Sequence, residues 1–369
     1  MTAAPFQLRA LAPAKINLGL FVGPVRASDG RHELASVMQS ISLADELALE
    51  TIGSGSGSES TFGSSRSVLG LGSESGSGSS SGSEEDEIVC PGVPGNPREN
   101  LAARALRAFR KATGWDAGPL RLRIEKHIPL AAGLAGGSAD AAATLRLAAH
   151  ASGLGSPELL LKLAAELGAD VPAQVEPGRW LATGAGEEIR ELPGPNHPFG
   201  VLVLPLAAEL STAAVYARAD ELGVHGTVPQ GTVSKGSAPR GTASQGAAPR
   251  TAQQLAEAAR GLERGLELGA GVPERRELLH NDLQAAAISL CPQIEPALAQ
   301  ALDAGAEMVF VSGSGPTVVG LFLRANGPGR AQRAAAGLSG RDPAPICATP
   351  VDSAFARPVD VSVRHNHDR

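Results

Sequence analysis

Along the first fifty residues apolar and polar positions alternate, the two-residue period of a half-buried strand. Residues 6–11 (FQLRAL) and 15–22 (KINLGLFV) read as strands on this ground, and a mixed apolar run over 34–42 leads into a third at 46–51. Past residue 100 the period lengthens. Leu101, Ala105 and Ala108 fall on one face of a helix predicted over 100–113, followed by a strand at 120–125 and helices at 138–151 and 157–167, the last stopped by Gly168. After the punctuation of Pro193, Pro195 and Pro198, strands are predicted at 200–204, 308–312 and 318–323. Helices are predicted around 213–222, 251–268, 281–290 and 294–304. Strands and helices mix without a regular βα rhythm, which favours a two-domain α+β architecture over a doubly wound sheet.

Two stretches carry no apolar period at all. From residue 53 the chain is dominated by Gly and Ser and runs into Glu84, Glu85, Asp86 and Glu87, the composition of a solvated insert over 53–87. Residues 226–250 read GTVPQ, GTVSK, GSAPR, GTASQ, GAAPR, a five-residue repeat with no large apolar side chain, which predicts a disordered insert over 225–250. Setting both aside leaves an N-terminal domain over 1–192, a C-terminal domain over 199–360, and a solvated tail at 361–369. The tail's His365 and His367 make a poor metal site.

Composition narrows the function classes. At 369 residues the chain is long enough for about two domains, and 43% hydrophobic residues with only 3% aromatic means cores built from Leu, Val, Ile and Ala. A net charge of −6 argues against nucleic-acid or anionic-membrane partners. Cys90, Cys291 and Cys347 have neither disulfide nor zinc spacing, as expected of incidental thiols in a reducing cytoplasm. The first fifteen residues lack an apolar signal core, and the apolar run 201–206 is too short to span a bilayer. A soluble cytoplasmic protein fits these bounds; they say nothing of oligomeric state.

The candidate chemistry sits at 128–145, IPLAAGLAGGSADAAATL. A predicted strand leads to Gly133, Gly136, Gly137 and Ser138, and these to an alanine-rich helix. Glycines let backbone N–H groups approach an anion, and a helix N-terminus adds partial positive charge, so the segment predicts a nucleotide-phosphate loop. Ser138 is a candidate N-cap that could also reach a metal ion. An ordinary tight turn before a core helix is the alternative. GxxxxGK[ST] and GxGxxG are both absent, which excludes the P-loop and dinucleotide architectures.

Eight segments in order resemble the GHMP small-molecule kinases: APAKINLGL (12–20), SDGRHEL (28–34), ENLAARA (99–105), the glycine segment (128–145), LGADVPAQV (167–175), LST (210–212), NDL (281–283) and VSGSGPTVVGLF (311–322). Within that family the resemblance is to members that phosphorylate the 2-hydroxyl of 4-diphosphocytidyl-2-C-methyl-D-erythritol in the non-mevalonate route to isoprenoids. It implies a site in the cleft between two α+β domains, with ATP and Mg²⁺ as cofactors and a small cytidine-diphosphate substrate as partner.

The resemblance also implies roles. Lys15 and Asp170 take the place of the family's catalytic pair, Asp170 accepting the proton of the attacking hydroxyl and Lys15 offsetting charge in the transfer; an ammonium beside a carboxylate favours its charged form. The nucleotide would be held by Asn100, Lys126, Pro129, Leu130, Ala131, Ala132, Gly133, Leu134, Ala135, Gly136, Gly137, Ser138 and Ala139. Asn100 is equally a candidate helix N-cap. Ala131 and Ala132 stand where many relatives have glycines, and Asp140 where Asn is also common. The substrate base would be met by Arg31, His32, Thr212 and Tyr216. Arg31 replaces a family tyrosine; its guanidinium plane can stack on a base as a ring does. Tyr216 is either a base-stacking ring or a core residue of its helix. Asp282 reads as a helix cap. The metal ligands are not assigned beyond Ser138. Two alternatives stay open: another acceptor (homoserine, mevalonate or a sugar), against which SDGRHEL and NDL speak, and a catalytically silent binding protein, against which the retained Lys15 and Asp170 speak.

Overall fold

The computed structural model describes residues 5–52, 85–223, 250–266 and 278–361. Nearly all of the two expected inserts and of the tail lie outside the described residues. The edges of the inserts do not. Glu87 opens a strand, β3 (Glu87–Val89), which pairs in parallel with β4 (Leu120–Glu125). Asp86 accepts the backbone N–H of Leu120 at 3.0 Å, so the end of the acidic run belongs to the sheet and not to a solvated insert. At the far end of the repeat, Arg250 is buried.

The first two predicted strands are one. β1 (Gln7–Val25) runs antiparallel to β2 (His32–Thr51) along almost its whole length. Its first residues alternate buried and half-buried, and from Ala12 onward both faces are covered. Pro13 separates the two sequence patterns because it cannot donate to a ladder; here it is accommodated at a bulge between Pro13 and Lys15. Gly19 is required further along, since a Cβ there would lie 2.5 Å from the Leu278 carbonyl oxygen.

The first sheet has the order β11 (Val359–Asp360), β1, β2, β4, β3, with a hairpin of β5 (Arg179–Thr183) and β6 (Glu188–Glu191) attached through β5 to β2. Packed on it are α1 (Leu101–Thr113), α2 (Gly136–Ser152), α3 (Pro157–Leu167) and α4 (Pro172–Val175). The second sheet is antiparallel, ordered β10 (Ile346–Ala348), β7 (Gly200–Leu204), β9 (Val318–Phe322), β8 (Met308–Val311). With it go α5 (Thr212–Leu222), α7 (Gln284–Leu290), α8 (Ile294–Asp303) and α9 (Gly327–Gly337). The α+β reading stands. The simple division of the chain is crossed twice: α6 (Ala252–Arg264) packs on β1, β2 and β5, and β11 (Val359–Asp360) pairs with β1. Leu20 and Val22 of β1 in turn pack into the core of the second sheet with Leu202, Val215 and Leu283.

The cores are aliphatic, as composition requires. Leu18, Ile41, Leu47, Leu49, Leu106, Leu120, Leu122 and Ile124 are fully buried, with Phe109 and Phe322 the bulkiest rings among them. Cys90, Cys291 and Cys347 are free thiols, half-buried, buried and exposed respectively. Among the described residues no helix is long and apolar enough to cross a membrane.

Candidate active site

A cleft of about 880 Å³ opens where β1, the loop before α2, the α3–α4 turn, α5 and the β8–β9 loop meet. Every site residue expected from sequence lines it except two. Asn100 caps α1, its side-chain oxygen accepting the Ala102 N–H at 2.9 Å. Ala139 is fully buried inside α2.

Lys15 projects at the β1 bulge, the kind of irregularity that re-aims a side chain beside a site. It is 5% exposed, and its ammonium donates to Asn17 Oδ1 at 2.8 Å and lies 3.6 Å from Asp170 Oδ2. Asn17 donates to Ser36 Oγ at 2.7 Å, and Ser36 to the Gly19 carbonyl at 2.8 Å, so a buried relay holds the lysine. Asp170 is a third exposed and faces the cleft from the turn before α4. That turn is stitched to β1. Gln174 donates to the Pro13 carbonyl, and the half-buried Arg146 guanidinium donates to the carbonyls of Gln174 and Leu11. Burial lowers the Arg146 pKa to about 10. Asn17 was not foreseen, although it lies two residues from Lys15 and hence on the same face of the strand.

The loop after β4 docks on the Ser312–Thr317 loop. Gly133 (φ +73°) passes so close that a Cβ there would sit 2.3 Å from the Ser312 carbonyl oxygen, and Ser312 Oγ donates to the Gly133 carbonyl at 3.2 Å. Gly313 lies over Lys15, its hypothetical Cβ 3.6 Å from the ammonium. Ala131 (φ 50°) and Ala135 (φ 56°) adopt the left-handed conformation that glycine adopts without penalty. Ala135, not Ser138, occupies the N-cap position of α2; the helix begins two residues earlier than predicted, and Ser138 sits within its first turn. No side chain caps the first-turn N–H groups of α2, and Gly136 and Gly137 line the cleft.

Beneath this loop lies a charged cluster that sequence reading missed. Lys126 is ion-paired to Asp45 and to Asp140, the latter at 2.6 Å. Asp45 is fully buried and Asp140 is 2% exposed, with Asp140 Oδ1 lacking a hydrogen-bond partner. Burial pushes the Asp140 carboxyl up to about 7, with Lys126 opposing and Asp45 reinforcing the rise. Burial pulls the Lys126 ammonium down, but the two carboxylates more than offset it and its pKa is raised.

At the other end of the cleft His32 and Tyr216 stack, ring centroids 5.2 Å apart and planes 29° to one another. His32 Nδ1 faces the Gly23 carbonyl at 3.1 Å and Nε2 faces Asp220 Oδ2 at 3.3 Å. Burial holds the Tyr216 phenol well above its ordinary range, with the charges of Asp170 and Asp282 adding to the rise. Arg31 is half-exposed, and its guanidinium is held by Asp29 at 2.8 Å and Glu187 at 3.9 Å. Thr212 Oγ1 lies 3.1 Å from Ser314 Oγ and ties α5 to the β8–β9 loop. Asp282 does not cap a helix. Its fully buried carboxylate receives the Val22 N–H at 2.7 Å, His280 at 2.8 Å and the Arg250 guanidinium, and so fastens β1 to the second half of the chain. Asn281 beside it donates to the carbonyls of Val311 and Gly313, fixing the β8–β9 loop.

The GHMP kinases N terminal domain family matches residues 100–178, and the GHMP kinases C terminal family matches 255–341. A 4-diphosphocytidyl-2-C-methyl-D-erythritol kinase of Anaeromyxobacter sp. (strain K) is 35% identical over 341 residues, covering 91% of this chain and 86% of its own. This chain belongs to that family of GHMP kinases. A second member, from Streptomyces coelicolor, is 35% identical over 347 residues, covering 89% and 95%. The crystal structure of a 4-(cytidine 5'-diphospho)-2C-methyl-D-erythritol kinase matches with TM-score 0.60 and 30% identity over 92% of this chain and 98% of that one. A homoserine kinase from Cytophaga hutchinsonii superposes with TM-score 0.59 at only 17% identity, a likeness of fold alone. The chain is therefore a small-molecule kinase, and its cleft is the place to look for the transfer.

Proposed function

We propose that this GHMP kinase transfers the γ-phosphate of ATP to the 2-hydroxyl of 4-diphosphocytidyl-2-C-methyl-D-erythritol. The observation that carries the reading is the Lys15–Asp170 pair, 3.6 Å apart on one wall of the cleft, between the glycine loop and the His32–Tyr216 stack. Among the described residues Asp170 is the one acid paired with Lys15, and it takes the proton of the substrate hydroxyl as the oxygen attacks phosphorus. Lys15, fixed by Asn17, offsets the negative charge that spreads over the phosphoryl oxygens. The N–H groups of the first turn of α2 receive the phosphates. His32, Tyr216 and Arg31 meet the cytosine, Arg31 presenting a guanidinium whose plane is set by Asp29 and Glu187.

Among the described residues no cluster of three His, Cys, Asp or Glu could cage a metal ion. That suits Mg²⁺, which keeps most of its waters and rides on nucleotide phosphates with one or two protein oxygens. Ser138 and Asp170 are the oxygens on the cleft wall that would hold it, and when bound it neutralises charge on the phosphates.

The test is ADP release with MgATP against 4-diphosphocytidyl-2-C-methyl-D-erythritol, homoserine, mevalonate and galactose. Turnover of the first alone is expected, falling by roughly 10²–10⁴-fold in Asp170→Ala, the range for loss of a general base. Preference for another acceptor overturns the substrate, and near-full turnover in the variant overturns the base.

A further inference from the structure

β4 ends at Glu125, the last residue paired with β2, through Glu46. The next residues, Lys126, His127 and Ile128, leave the sheet and lead into the phosphate loop. Their N–H groups have lost the ladder, and buried donors without acceptors are costly. Asp45, adjacent to Glu46, takes over. Its Oδ1 accepts the N–H of His127 at 2.6 Å and of Ile128 at 2.8 Å, and its Oδ2 receives the Lys126 ammonium. One fully buried carboxylate thus serves three consecutive residues. On its other side Asp45 stands opposite Ala12 in the β1–β2 ladder, next to the bulge that aims Lys15.

Lys126 is where this arrangement reaches the cleft. Its ammonium lies 3.4 Å from where a Cβ on Gly136 would be, against the first turn of α2, and it lines the cleft. Asp140, inside α2, holds it from the far side at 2.6 Å. A flexible lysine chain would otherwise spread over many rotamers. Between two carboxylates it has one position, with a charge directed at the floor of the loop.

Resting on the nucleotide reading above, we propose that Asp45 is a positioning residue for nucleotide binding, acting through Lys126 and through the backbone of 127–128 that starts the phosphate loop. It touches neither substrate. Asp45→Asn keeps the size of the side chain but turns an NH₂ group toward either the ammonium or the two N–H groups. The chain leaving β4 and the lysine are then no longer held together.

The experiment is a double-mutant cycle on the full chain with steady-state kinetics in both substrates. Asp45→Asn is expected to raise KM for ATP by roughly 10–100-fold, the scale of a charge-assisted hydrogen bond, with KM for the acceptor alcohol within about twofold of the wild type. Lys126→Met is expected to do the same, and the double variant to fall well short of the product of the two single effects, because part of what Asp45 does runs through Lys126. Independent, multiplying effects, or equal rises in both KM values, overturn the proposal, since a merely structural lesion moves both. Should Asp45→Asn fail to fold, hydrogen exchange on the wild-type protein decides. The amides of His127 and Ile128 must be protected like those of β4 although they lie beyond it, and exchange at loop rates overturns the assignment. A wild-type protein that binds no ATP removes the nucleotide reading and this inference together; ATP turnover with an unselective Asp45→Asn removes only the inference.

Discussion

Gly133→Ala tests the contact on which the cleft depends most directly. The residue holds φ +73°, where an L side chain costs roughly 1–2 kcal/mol, and its new methyl would stand 2.3 Å from the Ser312 carbonyl and 3.0 Å from the Gly315 nitrogen. Both neighbours are backbone, so no side chain can swing aside. Restoring an ordinary contact parts the two loops by about 1 Å, and forced repacking of this kind costs roughly 1–3 kcal/mol. Part of the sum is returned by the reduced freedom of the unfolded chain, about 0.4–1 kcal/mol. A net loss of about 2–4 kcal/mol is expected, read as a lowered urea midpoint at unchanged slope. The catalytic effect follows from geometry. Gly313 lies over Lys15, and a displacement of about 1 Å near reacting groups costs on the order of 10²-fold in turnover. Gly137→Ala is the control: no atom lies within 4 Å of its added Cβ, and alanine in a helix is favoured by up to about 1 kcal/mol. It should fold at least as well as the wild type and differ only in nucleotide affinity. If Gly133→Ala melts with the wild type and turns over at the wild-type rate, the loop-to-loop contact is not what shapes the site.

Three further outcomes follow from the same coordinates. Ala135→Gly relieves a left-handed alanine at a helix cap and should stabilise the protein by about 0.5–1 kcal/mol in denaturant titration; a loss would mean that the strain is absent. Asp282→Ala removes one partner of the buried Arg250 guanidinium and the acceptor of the buried Val22 N–H, and should cost about 1–3 kcal/mol through the orphaned amide, whereas an exposed pair would cost under about 1. Asp140 gives a pH signature in the ligand-free, metal-free protein. Its folded pKa of about 7 exceeds the unfolded value near 3.9, so between pH 4 and 7 the folded state keeps a proton that the unfolded state has released, and stability falls as pH rises through that window. Asp140→Asn should flatten this slope and gain on the wild type at pH 8 relative to pH 5. Parallel slopes for the two proteins would refute the raised pKa.

What could be read from sequence was whatever depends on neighbours in the chain. The glycine loop, the helices after it and the strands at 200–204 and 318–322 announce themselves by local period and turn residues. Boundaries erred where tertiary context overrides a local rule. Pro13 reads as a break and is instead absorbed by a bulge. No element is predicted beyond the strand at 318–323, yet Gly327 and Pro328 start α9, where proline is at home in a first turn. Ser138 has the chemistry of a cap, yet the left-handed Ala135 takes the position and Ser138 falls inside the first turn.

The polar cores were invisible for a different reason. Lys15, Asp170, His32 and Tyr216 came from resemblance to motifs. Asp282 lies in one of the same segments but reads there as a helix cap, and Asp45 and Asn17 lie in apolar strands, where an isolated polar residue does not announce its partners. Each matters through partners far along the chain: Asp45 through residues 126–128, Asp282 through Val22 and Arg250. Asp45 and Asp282 share a logic. Each is a buried carboxylate that collects backbone N–H groups left over where a strand stops or changes partners. The bulge in β1, the end of β4 and the β8–β9 loop all border the cleft. The same interruptions that open space for substrates also create the unpaired backbone groups, and a fully buried acid such as Asp45 or Asp282 is how the fold satisfies them. A search for such acids at strand ends, and not only for residues facing the cavity, is therefore the route to the positioning residues of a site like this one.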